Sequence, residues 1–227
     1  MSNNPLALLL QEYATKIEGK MSVFNVTRLD EGCNWTNLIY SGEIPFDNIF
    51  LRAHLEIVDE MEKHDVYLIH FCIFPHFDDP SPIWGMDFVY NKGKIVGAFH
   101  DLSPIGESNM NSWFKVITKE VKITNKRELP QWGKAIFSES IISTGDITDE
   151  QELKNLLDFV METLSYYLDN VGVGKDGANY TSKHNDYAIF QKKNPHIKKM
   201  MMSFGHSEKN LDKFIDTTLF PEYEEII

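Results

Sequence analysis

Two polar side chains interrupt strand-like runs that are otherwise apolar. His70 is the only strongly polar residue in the middle of the run 66–74. Asp87 lies in the next such run, and its neighbour on the same strand face is the small Gly85. A carboxyl and an imidazole can exchange protons with a substrate when burial and nearby charges bring their pKa values to a suitable range. The pattern therefore indicates acid–base chemistry in a hollow on the face of a sheet.

A third run adds further candidates. Arg52, His54 and Glu56 alternate along it, so their side chains share one strand face. If this face coincides with those of His70 and Asp87, the sheet carries a pocket in which two carboxyls and an imidazole meet apolar walls. Burying an unpaired charge costs several kcal/mol, so such groups persist only when they are paired, neutralised or functional.

Each candidate also has an interpretation without function. A strand histidine is commonly a hydrogen-bonded core residue, Asp87 fits a solvated carboxylate near a turn, and the alternating polar face fits an outer surface. A metal site is another alternative, because His70 and Cys72 share a strand face and His54, His64 and His76 are nearby in sequence, but no standard ligand spacing appears. The chain has no glycine-rich nucleotide motif and no GxSxG motif.

The elements that carry these residues fall into two halves. The first half is typical of strands, with short runs at 35–41, 50–58, 66–74, 83–90 and 94–101. Asn91-Lys92-Gly93 is a hairpin signal, which predicts that the last two runs are antiparallel neighbours. A further strand is predicted at 135–143.

The second half is typical of helices. Residues 148–151 fit a capping box, and apolar residues follow at helical spacing until Gly172 ends the helix. Another helix is predicted at 186–193. Asn194 followed by Pro195 predicts an N-cap and a first-turn proline of a helix that ends at Gly205. With helical segments at the N-terminus, this order predicts one domain over residues 1–227, an antiparallel sheet covered by helices.

Composition excludes several classes of protein. The 34 acidic residues outnumber the 22 basic ones, and a net charge of −12 argues against a surface built to bind nucleic acid. The apolar runs are shorter than the ~20 residues of a membrane span, and the N-terminus lacks the pattern of a signal peptide. Cys33 and Cys72 are too few for a cysteine-ligated cluster, and a disulfide between them is not implied. We expect a soluble, cytoplasmic monomer that binds neither nucleic acid nor membranes.

Seven ordered motifs make the chain resemble the ferredoxin-dependent bilin reductase family from about residue 40 to the C-terminus. They are His54-Leu-Glu56, Leu68-Ile-His70-Phe-Cys-Ile-Phe74-Pro75, Gly85-Met-Asp87, Asp101-Leu-Ser-Pro104, Arg127-Glu-Leu-Pro130-Gln-Trp132-Gly133, Ile136-Phe137-Ser138-Glu139 and Phe204-Gly205. The resemblance implies the α/β class, a three-layer α/β/α sandwich whose central antiparallel β-sheet is flanked by helices. It also implies that biliverdin IXα binds between the sheet and the C-terminal helices.

The same resemblance implies reduction by single electrons from reduced ferredoxin, with no cofactor bound to the protein. Each electron then makes a bilin radical that protein groups or water must protonate. Asp87 takes the role of proton donor, and His70 and Glu56 set its protonation. A guanidinium fork suits a propionate, so Arg127 resembles a clamp for that group. The expected substrate-binding residues are Arg127, His54 and Lys198.

One position departs from the family pattern. The family usually carries an aspartate ten residues before the Phe-Gly pair, and here that position is Asn194, the fourth catalytic candidate. Its amide cannot donate a proton in the same way, which leaves Asp87 as the central donor. We therefore expect four-electron reduction to phycoerythrobilin through 15,16-dihydrobiliverdin. The alternatives are phycocyanobilin as product, or a bilin-binding protein without catalysis.

Overall fold

The computed structural model of the protein describes residues 4–30, 34–44 and 47–224. Cys33 and the disulfide question therefore lie outside the described residues. Seven strands form one sheet in the order β1-β2-β5-β6-β7-β8-β9, and each neighbouring pair is antiparallel. Their bounds are β1 Asn25–Asp30, β2 Trp35–Ser41, β5 Arg52–Glu60, β6 Val66–Phe74, β7 Ile83–Asn91, β8 Lys94–Ser103 and β9 Ile142–Thr144. A separate two-stranded ribbon pairs β3 Glu43–Ile44 with β4 Asp47–Asn48.

Helices cover both faces of this sheet. The α-helices are α1 Pro5–Met21, α2 Met61–His64, α3 Asn109–Ile117, α4 Glu150–Asn170, α5 Thr181–Gln191, α6 Pro195–Ser203 and α7 Glu208–Phe214. Short 3-10 turns span Thr118–Glu120 and Gly133–Ala135, and a π-helical turn, Ile215–Leu219, continues α7. Within the described ranges, none of these helices is both long and apolar enough to cross a membrane.

Every residue of β6 is buried, because both of its faces are covered. Ile69 and Phe71 point to the face where α1, α3 and α4 pack. Leu68 and Cys72 point to the opposite face, where α5, α6 and α7 pack. The central strand therefore separates two hydrophobic cores. The predicted α/β/α sandwich with a central antiparallel sheet is confirmed.

The strand predictions are close to the observed bounds. The predicted runs 35–41 and 66–74 are observed as β2 and β6. Between β7 and β8, Lys92 and Gly93 have φ values of 48° and 88°, the left-handed conformation that a two-residue hairpin requires at both positions. The hairpin prediction is therefore confirmed. The edge strand β1 was not predicted, since its sequence alternates weakly and is largely polar.

The predicted strand at 135–143 is wrong. Most of that segment is irregular, and only Ile142–Thr144 pairs with β8. Ser138 donates to the Asp101 carboxylate through its backbone N–H at 2.9 Å and also through its hydroxyl. Ser103 donates to the same carboxylate at 2.8 Å. These bonds hold the segment as a loop over the sheet face instead of a strand in the ladder.

Two helices begin at other residues than predicted. The predicted helix 186–193 is α5, which starts at Thr181 after the Asn179 side chain accepts the Thr181 N–H at 2.9 Å. For α4, the predicted box starts at Thr148, but the N-cap is Asp149, whose carboxylate accepts the Glu152 N–H at 2.7 Å.

This difference at the start of α4 can be tested by substitution. Asp149→Ala removes the cap, so the free energy of unfolding should fall by about 1 kcal/mol. The matched control Thr148→Ala should change it by less than about 0.5 kcal/mol, because Thr148 is exposed and outside the helix. Urea unfolding of the two variants measures both values. Equal losses would contradict the assignment of Asp149 as the cap.

Candidate functional site

The register of the central strands aligns the three acid–base candidates. Glu56 pairs with His70 across β5 and β6, and His70 pairs with Asp87 across β6 and β7. Directly paired residues of an antiparallel sheet point to the same face. The three polar faces recognised in the sequence therefore coincide. The adjacent row, from β5 to β7, places His54, Cys72 and Gly85 on that face too.

A cavity of about 1060 Å³ lies between this sheet face and the C-terminal helices. The sheet contributes His70, Cys72 and Asp87 to its wall, and a covering segment, residues 127–141, contributes aromatic rings. The helices α5 and α6 close the far side. This volume is at the upper end of the range for small-molecule sites, and an apolar wall with a few converging polar groups is typical of them.

Asp87 lies at the floor of the cavity with little compensation for its charge. Its Oδ1 atom is buried and has no hydrogen-bond partner among the described residues. Burial raises the pKa of this carboxyl from 3.8 to about 7. A carboxyl with such a pKa is present in both protonation states near neutral pH, as a proton donor to a bound ligand must be.

Glu56 is a second carboxyl with a raised pKa, and it lies behind His70. Trp35 Nε1 donates to its Oε1 at 2.8 Å. The pKa of Glu56 is raised to about 7, chiefly by burial and also by the charge of Asp87, while the hydrogen bond from Trp35 opposes the rise. In the described part of the chain, the cavity wall includes His70 but not Glu56. Glu56 can therefore act on a ligand only through its neighbours.

His70 lies between the two carboxyls. Its Nε2 is 3.4 Å from Cys72 Sγ, and its Nδ1 is 4.0 Å from Glu56 Oε2. Burial lowers the pKa of His70 to about 4, so the ring is neutral at pH 7. Nδ1 has no hydrogen-bond partner among the described residues. The interpretation as a fully hydrogen-bonded core histidine therefore accounts for only one of its two nitrogens.

The expected substrate-binding residues are not all at the cavity. Arg127 lines it and forms no ion pair with any described residue. The Lys198 ammonium instead pairs with Glu208 and Asp212 of α7, at 2.8 Å each. Lys199, the next residue of α6, lines the cavity in its place.

His54 also lies away from the ligand space. It is fully buried, its Nε2 is 3.0 Å from Asn37 Oδ1, and its ring packs at 6.2 Å from the ring of Phe214. Burial, with the neighbouring His70 and Arg52, lowers its pKa well below the usual value. His54 supports the sheet under α7 and is not part of the described cavity wall.

Asn194 does two things at once. Its Oδ1 accepts the His196 N–H at 3.0 Å and caps α6, as the sequence predicts. It also lines the cavity.

The metal alternative gains no support, since no group of three or more His, Cys, Asp and Glu side chains in the described ranges could hold an ion.

Sequence reasoning missed Tyr187 as a site residue. Its hydroxyl accepts from Gln191 Nε2 at 2.9 Å and lies 3.8 Å from Cys72 Sγ. The predicted helix 186–193 contained a signal for it, because residues four apart lie on the same helix face. That spacing joins Tyr187 to Gln191, and both line the cavity.

The raised pKa of Asp87 predicts how stability changes with pH. The fold favours the protonated carboxyl. The contribution of Asp87 to the free energy of unfolding is therefore fully present below pH 4 and is lost as pH rises from about 4 to about 7. Asp87→Asn cannot ionise and avoids that loss. The variant should therefore gain stability over the wild type between these pH values, reaching about 2 kcal/mol after allowance for exposure to the cavity. Thermal unfolding from pH 4 to pH 8 measures the difference in stability between Asp87→Asn and the wild type. A difference that does not change with pH would contradict the prediction.

Comparison with known proteins gives one family. The sequence model of the ferredoxin-dependent bilin reductases matches residues 44–221. Phycocyanobilin:ferredoxin oxidoreductase from Trichodesmium erythraeum (strain IMS101) is 31% identical over 121 residues, 50% of this chain and 47% of that protein. The chain thus matches about half the length of this curated relative.

Solved structures show the same fold. A PcyX structure superimposes with a TM-score of 0.64 at 21% identity, covering 96% of this chain and 99% of the other. Phytochromobilin synthase from tomato, in complex with biliverdin, superimposes with a TM-score of 0.64 at 13% identity, covering 93% of this chain and 81% of the other. Since the family match spans most of the residues and the fold agrees, the chain belongs to the ferredoxin-dependent bilin reductase family.

Proposed function

We propose that this protein reduces biliverdin IXα with electrons from reduced ferredoxin. The observation that carries the proposal is the cross-strand pair of His70 and Asp87 at the floor of a large cavity in a member of this family. A pocket that only bound a pigment would need apolar walls and a few hydrogen bonds. A carboxyl of raised pKa beside a neutral imidazole is instead suited to proton transfer.

The cavity matches the chemistry of an open-chain tetrapyrrole. Such a ligand has broad apolar faces, a polar centre of pyrrole nitrogens, and two propionates. Trp132 and Phe137 of the covering segment provide aromatic surface, and Asp87 provides a carboxyl at the floor. Arg127 and Lys199 line the same cavity and form no ion pair with a described residue, so both are available to the propionates.

Protein groups then supply protons as electrons arrive singly. Each two-electron reduction of the bilin adds two protons, and an electron added alone leaves a radical that is more basic than the starting pigment. Asp87 donates to this radical, because burial raises its pKa to about 7 and makes the protonated form accessible near neutral pH. His70, neutral between the two carboxyls, and Glu56 behind it control the return of the proton to this group.

The product that we propose is phycoerythrobilin, formed through 15,16-dihydrobiliverdin. Asn194 replaces a carboxyl at the cavity wall, and its oxygen is engaged by the α6 cap. Asp87 is then the central donor, which suits protonation at the C15 methine bridge. Phycocyanobilin is the alternative product, because Glu56 and His70 are retained and adjacent, and these groups could direct a proton to the ring-D vinyl.

The reaction itself is tested with Asp87→Asn. We expect the variant to bind biliverdin with unchanged affinity, because the amide keeps the shape of the carboxyl. Turnover should stall at a radical or at an early two-electron stage, because the donor proton is missing. Spectral titration with biliverdin measures binding, and anaerobic photoreduction in the presence of ferredoxin measures turnover.

The wild type is the control for this experiment, and a non-catalytic bilin-binding protein would show the spectral change on mixing without any later loss of the long-wavelength band. Turnover of Asp87→Asn at the wild-type rate would remove Asp87 from the mechanism.

The product is tested by single-turnover spectra of the wild type. An intermediate with a blue-shifted band, typical of 15,16-dihydrobiliverdin, should form before the final pigment, because reduction at C15 shortens the conjugated system. Chromatography against known bilins identifies the end product. An 18-ethyl intermediate that keeps conjugation across C15 would contradict phycoerythrobilin and leave phycocyanobilin.

A further inference from the structure

A continuous set of polar contacts leads from α5 to the buried carboxyl of Glu56. Gln191 Nε2 donates to the Tyr187 hydroxyl at 2.9 Å, and this hydroxyl is 3.8 Å from Cys72 Sγ. The sulfur is 3.4 Å from His70 Nε2. On the other side of the ring, His70 Nδ1 is 4.0 Å from Glu56 Oε2. The contacts therefore reach both nitrogens of the imidazole.

One set of hydrogen-bond directions uses the hydrogen of every group along this path. An amide nitrogen donates and does not accept, so the Tyr187 hydroxyl accepts from Gln191 and directs its own proton to Cys72 Sγ. Burial raises the pKa of the Cys72 thiol to about 12, so the sulfur carries its hydrogen at neutral pH. Because the sulfur accepts from Tyr187, its own hydrogen is directed away from that hydroxyl, and His70 Nε2, at 3.4 Å, is placed to accept it.

A neutral imidazole has one N–H and one acceptor nitrogen, and the hydrogen bond at one nitrogen decides the state of the other. We propose that Tyr187 is a positioning residue which, through Cys72, keeps the proton of His70 on Nδ1, facing Glu56. This inference rests on the proposed function, because it makes His70 and Glu56 the proton-storing pair and leaves Asp87 as the group that serves the bilin directly.

The local packing is suited to this contact. Gly85 lies opposite Cys72 in the neighbouring strand. A Cβ at Gly85 would be 3.4 Å from Cys72 Sγ and 3.5 Å from the Tyr187 hydroxyl, which are ordinary contact distances, so Gly85 lies directly beside both atoms. Cys72 and Tyr187 are 2% and 3% exposed, which limits competition from water for their hydrogen bonds.

The position of the proton can be read directly by NMR of protein labelled with ¹⁵N at histidine, without any bilin. Comparison with His70→Gln assigns the signals of His70. In the wild type, we expect the directly bonded hydrogen on Nδ1 and none detected on Nε2. In Tyr187→Phe the thiol hydrogen can turn to the side that the hydroxyl proton no longer occupies, and Sγ can then accept from Nε2–H, so a second population with the hydrogen on Nε2 should appear.

A matched control separates this effect from the loss of any buried hydroxyl. Tyr167 is also buried, and its hydroxyl donates to Pro82 O at 2.9 Å away from this path. Tyr167→Phe should leave the His70 signals unchanged. Cys72→Val should reproduce the effect of Tyr187→Phe, and Cys72→Ser, which keeps a donor and an acceptor, should largely restore the wild-type signals. Hydrogen on Nε2 in the wild type, or identical spectra for the wild type and Tyr187→Phe, would overturn the proposal.

Turnover provides the second measurement. Tyr187→Phe and Cys72→Val should lower the rate of biliverdin reduction about five- to tenfold, the size expected for one lost hydrogen bond, with binding affinity kept. Cys72→Ser should retain most of the rate, and a loss equal to that of Cys72→Val would overturn the role assigned to the thiol. If the wild type reduces no biliverdin, the proposed function fails, and the NMR result still decides where the proton of His70 lies.

Discussion

The antiparallel register of β5, β6 and β7 is the constraint on which the site depends. It places Glu56, His70 and Asp87 in one row across three strands. A slip of one residue in any strand would turn its polar side chain to the opposite face, into the core under α1 and α4. Both faces of β6 are buried, so every side chain of that strand opposes such a slip. The tight hairpin at Lys92 and Gly93 fixes the register of β7 against β8.

Burial then sets the protonation states along that row. It raises the pKa values of Glu56 and Asp87 to about 7 and lowers that of His70 to about 4. All three groups are therefore close to their neutral forms in the folded protein, which reduces the cost of holding them in a core. The charge of Asp87 also raises the pKa of Glu56, so ionisation of one carboxyl opposes ionisation of the other. The row can store a proton and release it near neutral pH.

Side-chain alternation in the sequence was enough to predict which residues share a strand face, because that alternation is local. Register is a long-range property, and the sequence alone left open whether the faces of Glu56, His70 and Asp87 coincide. The direction in which a side chain points around a helix axis was equally hard to predict. Lys198 and Lys199 differ by about 100° around α6, and of these two only Lys199 lines the cavity. The segment 135–143 was predicted as a strand. The bonds from Ser138 to Asp101 that hold it as a loop are tertiary contacts, which a local sequence pattern does not show.

Under the proposed function, the bilin itself changes the protonation of the site. A tetrapyrrole that fills the cavity displaces water from the exposed side of Asp87, and further loss of water raises the pKa of a carboxyl. If Arg127 and Lys199, which line the cavity, neutralise the propionates as proposed, the ligand's own charges add little to the potential at Asp87. Binding would thus protonate the donor before the first electron arrives. Because the protein carries a net charge of −12, these two cations also lower the local repulsion that an anionic substrate meets on entry.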